Sequence, residues 1–224
     1  MKILSWDVGI INLSYCIIET NDDHHEHQII HWGIINLIEN DAMKKNRNLV
    51  FENIPKKLHE HPFLLEVDKV VIENQPSLKN PQMKSIQMIV YSYFLMYGKV
   101  LSNSEHPIQT IDFCNASNKL KVYKGPKISL DSLKKSKKNP DENSMENYIE
   151  KNNELEKNSE EVQIKKKEKA QKLTYTQKKK MAVIHVKYFL NEIKDEKNMT
   201  FFLEHKKKDD LADSYLQALY SINK

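Results

Sequence analysis

The chain has 224 residues, with 39% hydrophobic and 29% charged residues, a mean hydropathy of -0.67 and a formal net charge of +4. That length suits one domain, or one domain carrying a large insertion. The low apolar content implies an ordinary core beside a polar segment that adds little to it, and no apolar run reaches the length of a membrane-crossing helix.

Residues 2–7, KILSWD, read as a short apolar strand ending on Asp7. Gly9 follows, then 12–19, NLSYCIIE, as a second strand. The polar stretch 20–27, TNDDHHEH, reads as a turn, and 28–38 as a third strand, giving an antiparallel meander. Residues 43–61 have helical spacing through Leu49, Ile54 and Leu58. Val70, Val71 and Ile72 form a buried strand that ends on Glu73. Residues 82–101 predict a long helix, apolar almost all round and therefore central. Residues 107–113 make a fifth strand.

Residues 124–172 change character. Lys, Glu, Asn and Ser dominate, with Tyr148 as the sole aromatic, so the segment is expected to be a disordered or partly helical insertion. Two further helices are predicted, one over 175–194 with Val183, Val186, Phe189, Leu190 and Ile193 on one face, and one at the end with Leu211, Tyr215, Leu219 and Ile222 on another. The expected fold class is α/β: a mixed five-stranded sheet, antiparallel in its first three strands and flanked by helices, in a single domain over 1–224.

Four acids stand at the ends of these elements: Asp7, Glu73, and Asp210 with Asp213 three residues apart on one helical face. Carboxylates brought together repel one another, and a divalent cation removes that penalty. Magnesium, with manganese as a substitute, prefers oxygen ligands, and two ions about 4 Å apart can clamp a phosphodiester. Each acid alone also suits a bland role. Asp7 and Glu73 are acceptable in turns, and Asp209, Asp210 and Asp213 favour the start of a helix. The combination carries the inference.

Other features point elsewhere or nowhere. Cys16 and Cys114 form no CxxC motif and read as buried free thiols of a reducing compartment. The His24, His25 and His27 group matches no zinc spacing and reads as an exposed hairpin loop. With four glycines, no glycine-rich loop and no P-loop, a nucleotide cofactor is not expected. No signal or transit peptide and no membrane segment is visible, so a soluble, intracellular, cytoplasmic protein is expected. Arg47 is the one arginine, so phosphate contacts fall to lysines. Lys119, Lys121 and Lys124 follow a core strand near the acidic edge and are candidate DNA contacts, with Lys179 further along.

SWDVGIINLSYCII resembles the first-strand motif of the RuvC-like Holliday junction resolvases. VVIENQP resembles their second acidic motif, and KKDDLADSYLQAL their closing Asp-x-x-Asp helix. The ending KKDDLADS is similar to that of the poxvirus resolvases and fungal mitochondrial cruciform-cutting enzymes, as is DFCNASNKLKVY after the fifth strand. The resemblance spans 1–123 and 173–224 and implies a ribonuclease-H-like fold. It implies a crossover junction endodeoxyribonuclease that places paired symmetric nicks in four-way DNA junctions, working as a homodimer in recombination, repair or viral genome processing. Asp7, Glu73, Asp210 and Asp213 would then hold the catalytic metal. A lysine ahead of the penultimate helix would stabilise phosphate charge, Lys180 first and Lys179 next. The rival readings are a nuclease for RNA–DNA hybrids or other branched DNA, and a non-catalytic DNA-structure-binding protein.

Overall fold

The computed structural model describes residues 1–21, 26–78, 80–126, 128 and 173–222. His24, His25 and nearly all of the 124–172 insertion lie outside the described residues; His27, expected in the same exposed loop, instead opens the third strand, half-buried with Nε2 2.8 Å from Tyr215 Oη.

Five strands form one mixed sheet: β1 (Lys2–Val8), β2 (Asn12–Thr20), β3 (His27–Asn36), β4 (Lys69–Asn74) and β5 (Thr110–Asn115), in the order β3-β2-β1-β4-β5. The first three are antiparallel, as the meander predicts, while β1–β4 and β4–β5 are parallel. Parallel neighbours require crossovers, and helices supply them. The β1–β2 turn is tight at Gly9, where a Cβ would lie 2.6 Å from the Asn12 carbonyl oxygen. Only glycine permits so close an approach.

The six α-helices of the described residues are α1 (Asp41–Lys45), α2 (Arg47–His59), α3 (Pro81–Tyr93), α4 (Tyr175–Glu192), α5 (Glu196–Glu204) and α6 (Lys208–Ile222). The single helix expected over 43–61 is two. Asn46 separates them, and its side chain accepts from Asn48 N to start α2. The final pair of predicted helices is a trio. Asp195 caps the unforeseen α5 by accepting from Asn198 N, and Phe202 anchors it in the core. The long helix expected over 82–101 is α-helical only to Tyr93, then runs as a π-helix over Phe94–Val100. Nor is it fully enclosed, for Met88, Met96, Tyr97, Val100 and Leu101 are exposed.

Strand alternation divides the core in two. Leu4, Trp6, Val8, Leu13, Ile17, Val70 and Ile72 face α2 and α3, meeting Val50, Ile54, Leu58, Ile86, Val90 and Phe94. Ile3, Cys16, Ile18 and Val71 face the other way, onto Val186, Leu190, Phe202, Leu211, Tyr215 and Leu216 of α4, α5 and α6. Both cysteines are buried and free. Asp7 and Glu73 have the parity of the second face, so the sheet aims both acids at α6.

Candidate active site

The parallel register pairs Trp6 with Ile72, so Asp7 and Glu73 stand at the next rung, side by side at the carboxyl ends of β1 and β4. Helix α6 crosses this end of the sheet with a polar stripe along its inner side. Ser14 Oγ and Ser214 Oγ are 3.0 Å apart. Gln217 Nε2 donates to Ser5 Oγ at 3.1 Å, Trp6 O at 3.0 Å and Val71 O at 3.3 Å, tying α6 to both acid-bearing strands. On the far side of α6, Trp32 Nε1 donates to Leu211 O at 3.1 Å. These bonds fix where Asp210 and Asp213, one turn earlier, stand relative to Asp7 and Glu73.

The fifth member comes from the 3-10 turn after β5, Ala116–Val122. Lys119 is 3% exposed. Its ammonium donates to Asp7 Oδ1 at 2.6 Å and lies 3.2 Å from Glu73 Oε1 and 3.3 Å from Asp213 Oδ2. The side chain expected at a DNA-facing surface thus sits inside the acid cluster. Lys121 Nζ donates to Asn118 Oδ1 at 2.8 Å and is exposed, as is Lys124. Lys179 pairs with Asp209 and stands 5.0 Å above the Tyr175 ring. Lys180 belongs to α4. The Lys119 ammonium is within ion-pair distance of three of the four expected metal-binding acids, Asp7, Glu73 and Asp213.

Glu73 is held from behind. Gln75 Nε2 donates to Glu73 Oε2 at 2.7 Å, while Gln75 N donates to Gln87 Oε1 at 2.8 Å. Lys84 Nζ also reaches Gln87 Oε1, at 3.2 Å, and Asn74 Oδ1, at 3.3 Å. The glutamine close behind the acid in VVIENQP is therefore a brace for the carboxylate. Sequence reasoning quoted Gln75 without a role, and it passed over Gln217, whose signal was its position four residues after Asp213.

The electrostatics follow from burial. Burial pushes the Glu73 carboxyl up to about 8, the Asp7 charge adding to the rise and the Lys119 ammonium opposing it. Asp213 keeps 34% of its side-chain surface and rises only to about 6, again first by burial. Asp210 is raised by burial and by the charges of Asp209 and Asp7. Burial pushes the Lys119 amine down, but the charges of Asp7, Asp213 and Glu73 outweigh it and hold the amine above the ordinary lysine range. Asp209 behaves oppositely to its neighbours. Burial would raise it, yet the hydrogen bond and charge of Lys179 hold it below the usual carboxylate range.

The donor set fits a hard divalent cation: Asp7, Glu73 and Asp213 converge, and Asp210 is near enough to Asp7 to feel its charge. Among the described residues no three acid, histidine or cysteine side chains are placed to hold a metal ion, and the Lys119 ammonium stands between Asp7, Glu73 and Asp213.

Two solved structures resemble this architecture. The fowlpox virus resolvase, seen with its Holliday junction substrate, superposes with a TM-score of 0.53 at 18% identity, covering 100% of this chain and 97% of that one. The yeast mitochondrial Holliday junction resolvase gives 0.50 at 19% identity, covering 98% and 78%. The chain shares the fold of these two proteins. An uncharacterized protein of Acanthamoeba polyphaga mimivirus is 32% identical over 187 residues, 82% of this chain. The chain spans about a third, 36%, of that relative's length. No protein-family model matches the sequence. Among the described residues no helix is long and apolar enough to cross a membrane.

Proposed function

We propose that this chain is a Holliday junction resolvase: a magnesium-dependent, structure-specific endonuclease that nicks four-way DNA junctions in pairs by hydrolysing phosphodiester bonds. The observation that carries the reading is the convergence of Asp7, Glu73 and Asp213 on the buried Lys119 at the carboxyl ends of two parallel strands. The resolvase fold supports it.

Asp7, Glu73, Asp210 and Asp213 are the residues that would hold the cation. When bound, a divalent cation supplies charge neutralisation at the phosphate and activation of the attacking water. The protein does the rest. Gln75 orients Glu73, Gln217 sets α6 against the two strands, and Lys119 brings a desolvated positive charge to the place where a phosphate would develop negative charge. Asp209 and Lys179 neutralise each other at the rim, while Asp213 shares the Lys119 ammonium with Asp7 and Glu73. Lys121 and Lys124 are exposed lysines on the segment that leaves the site, and they suit phosphate contacts along a junction arm.

Paired nicks across a two-fold junction require two sites related by a two-fold axis, hence a homodimer. The exposed strip of Met88, Met96, Tyr97, Val100 and Leu101 is apolar enough to be buried by a second copy.

The deciding test is cleavage of a labelled synthetic four-way junction, with linear duplex and RNA–DNA hybrid as controls, in magnesium and in chelator. Paired symmetric nicks on the junction alone, lost in chelator and sealable by ligase, are expected. Cleavage of the hybrid would move the protein to the ribonuclease branch. Junction binding with no cleavage would make it a structure-binding protein.

A further inference from the structure

The Lys119 ammonium donates to Asp7 Oδ1 at 2.6 Å and lies within ion-pair distance of Glu73 Oε1 and Asp213 Oδ2, at 3.2 and 3.3 Å, with 3% of its surface exposed. A lysine so enclosed is rare unless its charge is matched, and here it is matched by Asp7, Glu73 and Asp213 together. Those are the oxygens that the metal-dependent reading above assigns to a cation. Three carboxylates sharing one point repel strongly, and the ammonium is what lets β1, β4 and α6 bring them together without a metal. The same placement opposes a metal. A cation entering the cluster meets a fixed positive charge and must compete for oxygens already paired with the ammonium.

We propose that Lys119 is a built-in counter-ion that assembles Asp7, Glu73 and Asp213 in the metal-free protein and competes with the divalent cation for them. The site is preformed as a result, but it holds its metal weakly. Removing the ammonium exchanges a preformed, weak site for a strained, tight one. The inference rests on the resolvase reading only in taking these acids as the cation's ligands.

The test is Mn2+ binding to the full chain without DNA, by calorimetry and by the spin resonance of free Mn2+, beside thermal melting in chelator. Wild type is compared with Lys119→Met, which keeps the length of the side chain and loses its charge, and with Lys119→Arg, which keeps the charge. Lys119→Met is expected to bind Mn2+ about tenfold more tightly or better, the scale of removing a charge in contact with its ligands. It should melt lower in chelator and recover on adding Mn2+, while Lys119→Arg gains no affinity. If Lys119→Met fails to fold in chelator, folding driven by Mn2+ carries the same meaning. Mn2+ binding by Lys119→Met equal to or weaker than wild type, or no recovery with Mn2+, overturns the counter-ion role and leaves the resolvase reading intact. A wild type that neither binds Mn2+ nor cleaves junctions overturns both.

Discussion

The two faces of the sheet are built from different materials. Toward α2 and α3, Leu4, Trp6, Val8, Val70 and Ile72 meet Val50, Ile54, Leu58, Ile86 and Phe94, and contact is almost wholly apolar. Toward α6, the same strands present Ser5, Asp7, Ser14 and Glu73 to Asp213, Ser214 and Gln217, interleaved with Ile3, Val71, Tyr215 and Leu216. Apolar packing is strong and non-directional, so it tolerates small slides of a helix. Buried hydrogen bonds stabilise little on balance but cost heavily when unmade, so they fix register. The first face supplies stability, and the second supplies the placement of four carboxylates and an ammonium. Each prediction below perturbs one face and asks whether the other feels it.

The largest effect is expected from the acids themselves. Asp7→Asn, Glu73→Gln and Asp213→Asn should each lower the single-turnover rate of junction cleavage about a thousandfold or more, beyond the loss of one charge-stabilising donor. Junction affinity, measured by gel shift, should persist. Cleavage surviving in Glu73→Gln would remove Glu73 from the site.

The opposite face gives the converse. Phe94→Ala or Ile54→Ala opens a cavity at a fully buried position and should cost about 3–4 kcal/mol in urea unfolding. The cleavage rate per folded molecule should stay near wild type. A rate that fell in step with stability would show that the two faces are not separable.

Gln217→Leu tests the join between them. It keeps the bulk of the side chain and leaves Ser5 Oγ and the carbonyls of Trp6 and Val71 without their donor. A stability loss of about 1–3 kcal/mol follows from those unpaired groups. Cleavage should fall about tenfold or more, because a small shift of Asp210 and Asp213 misplaces what they hold. Loss of stability with no loss of rate would make Gln217 a packing residue only.

The four acids were legible because each ends an element whose periodicity was plain, and strand parity places Asp7 and Glu73 on one face. Asp210 and Asp213 share a helical face by their three-residue spacing. Lys119 was not legible in its true position. Asn118-Lys119-Leu120-Lys121 reads as a polar turn, and a lysine's burial is decided by distant strands closing around it, which no local pattern encodes. Helix α5 was passed over because nine residues carry too little periodicity. The exposed flank of α3 and its π-helical extension was misread as core because composition reports how apolar a helix is, not what covers it.

pH separates the regions again. In chelator, the folded protein keeps a proton on Glu73 up to about 8, whereas the unfolded chain releases it near 4.5. Between those values the folded state binds more protons, so stability falls as pH rises through the window. Asp213 adds a smaller fall between 3.8 and about 6. His185, buried on α4 against Tyr123, acts the other way. Burial lowers it from 6.5 to about 4, so the unfolded chain takes up a proton first and stability falls as pH drops through that range. Below pH 6.5 the histidine opposes the two acids, so the thermal midpoint should fall chiefly as pH rises from about 6.5 to about 8, the alkaline limb. Glu73→Gln should flatten that limb, and His185→Gln, by removing the opposing contribution, should extend the fall toward lower pH. An alkaline limb unchanged in Glu73→Gln would assign it to another group.

The smallest effect is expected at the rim. Lys121 and Lys124 are exposed and stand only a few residues from Lys119, so they share its sequence context and none of its burial. A solvated lysine that meets a phosphate contributes through counterion release, which is independent of sequence and weakened by salt. Lys121→Ala and Lys124→Ala should weaken junction binding a few-fold. Each should reduce the slope of log affinity against log salt by about 0.9, one phosphate contact's worth. The cleavage rate at saturating protein should be unchanged. Lys119→Ala should do the reverse, changing the rate and leaving the salt slope alone, since an enclosed ammonium has no counterion to release. A salt slope that dropped with Lys119 and held with Lys121 and Lys124 would invert the assignment of surface and site.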